Sequence, residues 1–371
     1  MSFIYNLMMF LILISSFYEF NTNTVPNKNL YKFIVVLMVF TAGLAYGLSP
    51  DWIPYWSAFE DTAATSLFSL KELSEYWDME VGYIYLNKLV SLFGLGYGAF
   101  TLLIAAIALS LKTMTIYRYG GYVFLALLMY FVPTYFFEEH VHVRQGLANA
   151  IAIFSVRYII ERKLWKFLLC FVIAFLFHKA VVVFLFAYWI VKIRFNNTLI
   201  ILAVGGAVLA SILGLSTAID GLMRILPFGV GDTYSDYANE FSEKSLLGDI
   251  VKVLTVIAIL LFNKTVERKD ALFAYFRNIY LFGVVLFFFF GEGIFAARLP
   301  GFFTVYIIFV VPRMIKALSD TPFYKSFVYS MFAIYTVALY INFYVVWGDK
   351  SGFGHYRTYF NERAVYGFFQ K

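Results

Sequence analysis

Long apolar runs alternate with short polar connections along the whole chain. Ten of the runs come near the roughly 20 residues that carry a helix across a ~30 Å hydrocarbon core: about 3–20, 31–48, 98–117, 121–137, 143–160, 198–215, 246–263, 273–291, 301–318 and 325–347. A further apolar stretch, 167–190, holds His178 and Lys179 near its centre. None of the runs shows the ten-residue alternation of an outer-membrane barrel strand. The pattern predicts an all-α polytopic transmembrane helical bundle, one integral membrane domain over 1–371. No 20–50-residue period repeats, and no two halves resemble each other, which disfavours an inverted-repeat transporter.

The charges between the runs set a direction. Asn21 to Lys32 carries Lys28 and Lys32, whereas Ser49 to Asp78 carries Asp51, Glu60, Asp61, Glu72, Glu75 and Asp78 against Lys71. Cytoplasmic connections are the basic ones, so the first lies inside and the second outside. Counting on, Arg118 falls inside, Glu138 to His142 outside and Glu161 to Lys166 inside. If 167–190 crossed once, Lys192, Arg194 and Lys264 to Lys269 would all lie outside. If it turns back at His178-Lys179 as a re-entrant pair of half-helices, Lys192, Arg194, Lys264, Arg268, Lys269, Arg313, Lys316 and Lys325 are all cytoplasmic. The re-entrant pair is the expectation, and it leaves the turn facing a hydrated external cavity, as irregular backbone at membrane depth requires. The external face then collects loops 49–97 and 216–245, the short loop Glu292 to Arg298 and the tail 348–371. Glu80 to Phe93 is too short to span; with Glu80, Asn87 and Ser91 as one polar stripe, it is expected along the outer interface.

Composition narrows the class. A chain 62% hydrophobic and 14% charged is not an ordinary soluble fold. The net charge of +6 is scattered in short clusters between apolar runs, which fits membrane orientation and not nucleic-acid binding. The single cysteine, Cys170, lies inside an apolar run and rules out a disulfide framework. The N-terminal apolar segment lacks a basic n-region and a small-residue cleavage site, so it reads as a first span. The abundance of Phe and Tyr is read mainly as AT-rich codon usage with interfacial belts, and only secondarily as sugar-stacking platforms.

Candidate chemistry sits where charge meets apolar sequence, because ionisable groups in such segments mark functional sites by default. Arg144 opens a run whose i+4, i+8 and i+11 positions are Ala148, Ala152 and Ser155. That small-residue face packs against other helices, so Arg144 points into the bundle, where a guanidinium can clamp phosphate oxygens. Arg298 precedes Leu299-Pro300, with Pro300 expected to start a helix and Glu292 as a candidate ion-pair partner. Glu80, Glu138, Glu139, His140, His142 and His178 are candidate general bases. Glu138 and His142, at i and i+4, could begin a metal site, but no third and fourth ligands follow, so no metal and no other cofactor is assigned. Asp51-Trp52-Ile53-Pro54-Tyr55-Trp56, Gly231 to Tyr237 with Asp232 and Tyr234, and Gly354 to Tyr359 mix acids with aromatics in the manner of carbohydrate contacts. P-loop, dinucleotide, Gly-x-Ser-x-Gly and zinc-protease signatures are absent.

Asp51-Trp52 with Tyr55, Glu80-Val81-Gly82-Tyr83, Arg144-Gln145-Gly146-Leu147-Ala148, the Lys163 to His178 stretch ending Leu176-Phe177-His178, and Arg298 before Leu299 resemble the EpsG family of polytopic proteins, which includes Wzy-type O-antigen and capsular polysaccharide polymerases. The resemblance implies a metal-independent, GT-C-like glycosyltransferase of the bacterial cytoplasmic membrane, with its active site facing the periplasm. Such enzymes join undecaprenyl-diphosphate-linked oligosaccharide repeat units into O-antigen, capsule or exopolysaccharide, with membrane lipids and a chain-length regulator as further partners. Arg144 and Arg298 would bind the diphosphate. Glu80, Glu139, His140 or His178 would deprotonate the acceptor hydroxyl, with inversion at the anomeric carbon. Asp51, Trp52, Tyr55, Tyr83, Asp232 and Tyr234 would contact glycan. Two readings from other classes stand beside this one: a flippase for lipid-linked oligosaccharides, and a membrane acyl- or phosphotransferase that decorates glycans.

Overall fold

The computed structural model describes residues 2–24, 27–215, 246–290, 294–348, 353–361 and 367. Every long element is helical: α1 Phe3–Thr22, α2 Lys28–Gly43, α3 Trp52–Ala64, α4 Leu70–Tyr76, α5 Val81–Leu92, α6 Tyr97–Tyr119, α7 Val123–Tyr130, α8 Val143–Ile160 and α9 Leu164–Phe175. Next come the tight 3-10 turns Lys179–Phe186 running into α10 Ala187–Ile190, then α11 Asn197–Ile212, α12 Leu246–Lys269, α13 Phe273–Phe290, α14 Ile294–Thr304, α15 Ile307–Ala317 and α16 Pro322–Trp347. Among the described residues, six helical stretches are long and apolar enough to cross a membrane; Val123–Tyr135, Leu164–Phe175, Lys179–Ile190 and Asn197–Ile212 are apolar but shorter. The expected ten runs are thus unequal in the fold. The run at 121–137 is cut after Tyr130, where Val132 leaves helical geometry and two π-helical turns succeed it.

The bundle is apolar outside and carries charge within. Phe17, Leu169, Leu261 and Ile334 are exposed, whereas Lys112, Arg277 and Asn278 are buried. That inversion is expected where the surrounding medium is lipid and polar groups find partners only in the interior.

The turn expected at His178-Lys179 is present. The backbone of His178 is extended, α9 ends just before it, and the returning segment packs against α9, with the Phe167 and Tyr188 rings 5.4 Å apart. Arg162, before α9, donates to the carbonyl of Tyr188 at 2.7 Å. The chain therefore comes back to the end it left. There Asn278 donates to the carbonyls of Ile190, Val191 and Ile193, Arg313 bonds Asp270 and the carbonyl of Tyr119, and Lys325 reaches the carbonyl of Phe20. This is the basic end. At the opposite end the described part of the tail lies on α2: Tyr46 N–H donates to the Arg357 carbonyl at 3.0 Å and Tyr356 to the Thr41 carbonyl at 3.0 Å.

Two local expectations change. The polar stripe of α5 does not face the outer interface: Glu80, Asn87, Lys88 and Ser91 are buried, and Tyr85, Leu89, Leu92 and Phe93 are exposed. Lys88 is held by the carbonyls of Ala63 and Thr65, at 2.9 and 2.7 Å, where it closes the end of α3. Pro300 lies inside α14 and does not start it, so Arg298 is a helical residue and not a loop residue before a helix N-terminus. Glu292, its expected partner, lies outside the described residues, as do the loop 216–245 and its Asp232 and Tyr234.

Candidate active site

Four separate elements bring the site together, and Glu80 is its hub. The chain enters through Asp78 in left-handed geometry (φ 45°), and Ser74 ties α4 to the Met79 carbonyl. Glu80 then precedes α5 in an extended conformation. Its side chain makes no cap on its own helix and reaches across to the turn after α9. One carboxylate oxygen, Oε1, lies 3.1 Å from His178 Nδ1 and accepts the Lys179 backbone N–H at 3.1 Å; the other, Oε2, accepts from Arg144 Nη1.

The approach depends on Gly82. Its N–H donates to the Leu176 carbonyl at 3.0 Å, and a Cβ there would lie 2.6 Å from that oxygen. No side chain larger than hydrogen allows α5 this close to the turn.

Arg144 stands in the first turn of α8, where the helix dipole favours anions over cations. Its charge is offset by Glu80 and supported by the Asp78 carbonyl at 3.2 Å, Tyr55 Oη at 3.4 Å from Nε, and the Tyr55 ring 5.6 Å away. Nη2 forms no hydrogen bond among the described residues, and the side chain keeps about 20% of its surface exposed. An Arg with one edge fixed and hydrogen-bonding capacity left over, at a helix N-terminus, is arranged to receive an anion. The residues behind it, Ala148, Ala152 and Ser155, are buried as their spacing predicts. Arg298 approaches from α14, near enough for its charge to act on His178; Phe302, one turn later, lies over the His178 ring at 6.4 Å.

Electrostatics divide the roles of Glu80 and His178. Burial raises the Glu80 carboxyl, but Arg144 and then His178 outweigh it and hold the group at about 2. So weak a base is a poor proton acceptor near neutral pH, and an ionised Glu80 can only accept a hydrogen bond. Beside it a neutral His178 donates from Nδ1 and keeps its lone pair on Nε2, which is buried and has no hydrogen-bond partner. Glu80 thus holds one side of the His178 ring, and Nε2 on the other side is left without a partner.

Glu139 and His140 are not part of this group. Glu138 and Glu139 both pair with Lys112, which is wholly buried on α6. Asn149 donates to Glu138 and Tyr130 to Glu139, each at 2.6 Å. His140 packs among Tyr5, Tyr135 and Phe353. None of these groups bonds to Glu80, Arg144 or His178 among the described residues. His142 faces Asp51, 3.6 Å away, and not Glu138, and among the described residues no group of three or more His, Cys, Asp or Glu could hold a metal ion. Trp52 stacks with Trp56 at 6.0 Å beside Tyr46 and the tail residue Tyr359, forming an aromatic rim. Tyr83 lies wholly inside, against Tyr55 and Phe100, and offers no surface to a glycan. The sequence reading missed Lys112 and the steric role of Gly82. The first leaves no local trace, being 26 residues from Glu138; the second was visible as a glycine two residues after the acid that opens an apolar helix.

Fold and site together define a polytopic all-α membrane protein with a buried carboxylate–imidazole–guanidinium group near one end of its helices. A comparison with family models matches the EpsG family over residues 28–358, and the chain belongs to that family. Neither a curated protein nor a solved structure matches it.

Proposed function

We propose that this chain is a polysaccharide polymerase of the Wzy type, a GT-C-like glycosyltransferase that joins undecaprenyl-diphosphate-linked repeat units at the outer face of the bacterial cytoplasmic membrane. The observation that carries the reading is His178 Nε2, a buried ring nitrogen without a partner in an imidazole fixed by Glu80. A carboxylate that holds the tautomer and stabilises the imidazolium is the arrangement by which a histidine becomes an effective base.

In this reading the acceptor hydroxyl of the incoming repeat unit gives its proton to His178 Nε2 as its oxygen attacks the anomeric carbon of the growing chain. The bond from that carbon to the diphosphate oxygen breaks, and undecaprenyl diphosphate leaves with the bonding electrons. Arg144 Nη2 and Arg298 meet the charge that develops on the leaving oxygen, the kind of stabilisation usually worth most in such transfers. They supply the positive charge that a divalent cation supplies elsewhere. A single displacement inverts the anomeric centre. The Trp52–Trp56 rim stands at the same end as a sugar-stacking surface.

The test is a ladder. Purified protein given a lipid-linked repeat unit should produce a series of lengthening products on a gel, and His178→Gln should lose them while still binding the lipid-linked donor. No ladder from the wild-type protein would refute the polymerase. A full-rate ladder from His178→Gln would refute the base.

A further inference from the structure

At the basic end a cavity of about 610 Å³ opens between the end of α1, the α6–α7 turn, the α12–α13 connection and α15. It is remote from Glu80 and His178: α6 alone runs from beside the Tyr83–Phe100 packing to Arg313, and 23 helical residues rise about 35 Å. Four cations, Arg118, Lys269, Arg313 and Lys316, face two carboxylates, Glu19 and Asp270.

Both carboxylates are occupied. Glu19 accepts the Val123 and Phe124 N–H groups at 2.8 and 2.7 Å, closing the start of α7. Asp270 binds Arg313 and accepts the Leu272 N–H, both through Oδ1. The cations are not all used. Lys269 pairs with Asp320, but Arg118 and Lys316 form no ion pair within 4 Å among the described residues, acting only at longer range on Glu161 and Glu19, and Arg313 Nε is a buried donor with no hydrogen-bond acceptor. A recess whose cations outnumber its carboxylates, with cationic donors left over, is complementary to a group that only accepts, and phosphate oxygens are the common one.

We propose that this cavity binds a phosphate group, held by Arg118 and Lys316 at its mouth and Arg313 within. The same chemistry is available from the headgroup of an anionic lipid and from a soluble phosphoanion. Basic recesses between helices on the cytoplasmic side are suited to lipid headgroups, so the lipid arm is expected to respond.

The full-length protein is measured in nanodiscs of phosphatidylcholine with and without phosphatidylglycerol, and separately in phosphatidylcholine with inorganic pyrophosphate. Each ligand is titrated against the unfolding temperature, for the wild type, Arg118→Gln/Lys316→Gln, and the control Lys192→Gln/Arg194→Gln, which removes two exposed charges outside the cavity. The expected result is stabilisation by at least one ligand, weakened about 25-fold in apparent affinity by the first pair at about fivefold per cation, and kept in the control. Response to phosphatidylglycerol alone names a lipid; response to pyrophosphate alone names a soluble anion. No stabilisation in the wild type, an unchanged affinity in Arg118→Gln/Lys316→Gln, or an equal loss in the control overturns the proposal. Ladder formation by both variants without added ligand shows that they fold.

Discussion

Gly82→Ala is the sharpest perturbation of the proposed site, because it removes no functional group. The added methyl carbon would lie 2.6 Å from the Leu176 carbonyl oxygen and 2.8 Å from Leu176 Cβ. Carbon–oxygen contacts settle at about 3.3 Å, so roughly 0.7 Å must open between α5 and the turn. If the turn takes the shift, the 3.1 Å contact between Glu80 and His178 stretches toward about 3.8 Å, beyond hydrogen-bond reach. The ring then loses its fixed orientation, and displacements of about 1 Å can cost on the order of 100-fold in rate. Crowding of this kind typically lowers stability by about 1–3 kcal/mol, so the protein should still fold. The assay is the initial rate of ladder formation well below the unfolding temperature, alongside that temperature itself. Gly205→Ala and Gly206→Ala are the controls, since a Cβ at either position meets nothing within 4 Å; in α11 they should be neutral or slightly stabilising. A Gly82→Ala protein with the wild-type rate would refute the claim that this approach positions His178.

Three further outcomes are expected. Arg144→Ala and Arg298→Ala should remain in the membrane yet slow polymerisation by about 100- to 1,000-fold, read from single-turnover rates, as for loss of a group that stabilises a leaving charge; wild-type chain lengths in both would remove the diphosphate assignment. Glu80, held at about 2 in place of the usual 4.5, contributes roughly 3 kcal/mol that is present in full above pH 4.5 and lost as pH falls toward 2. The unfolding-temperature gap between wild type and Glu80→Gln should therefore be constant near neutrality and close across that acid window, and a gap that instead widens there would contradict the ion pairing. Lys112→Met leaves Glu138 and Glu139 buried without their cation and should destabilise by about 3–5 kcal/mol, measured by chemical unfolding, with substantial recovery when both acids are also made Gln; a mild loss without the added Gln changes would argue against a buried triad.

How much the sequence disclosed depends on which forces leave local marks. The turn at His178-Lys179 was legible because charge sidedness is a sum over the chain, and a single crossing there would have separated Lys192, Arg194 and Lys264 from the other basic connections. The face of Arg144 was legible because small residues recur at helical spacing behind it. The setting of Glu138 to His140 was not. Acids beside a helix break look like a solvated loop, and only a lysine on another helix shows that they are buried. The α5 stripe was legible but the inward direction of its polar face was not, since a dozen residues of amphipathic helix read alike whether the polar face meets water or a polar interior. The partnership of Glu80 with His178 joins residues 98 apart, and no periodicity connects them; Gly82 alone hinted that something came near.

The hairpin from α9 to α10 has a consequence for how the chain can vary. A segment that departs from and returns to the same end adds nothing to the sidedness of the later helices. Its two arms could lengthen, shorten or be lost together without inverting α11 or any helix after it, whereas loss of one crossing helix would reverse the sidedness of everything downstream. The catalytic histidine proposed here thus rides on a part of the molecule whose topology is insulated from the rest. Pocket depth around it could be reshaped for a different glycan while the membrane orientation of the protein stays fixed.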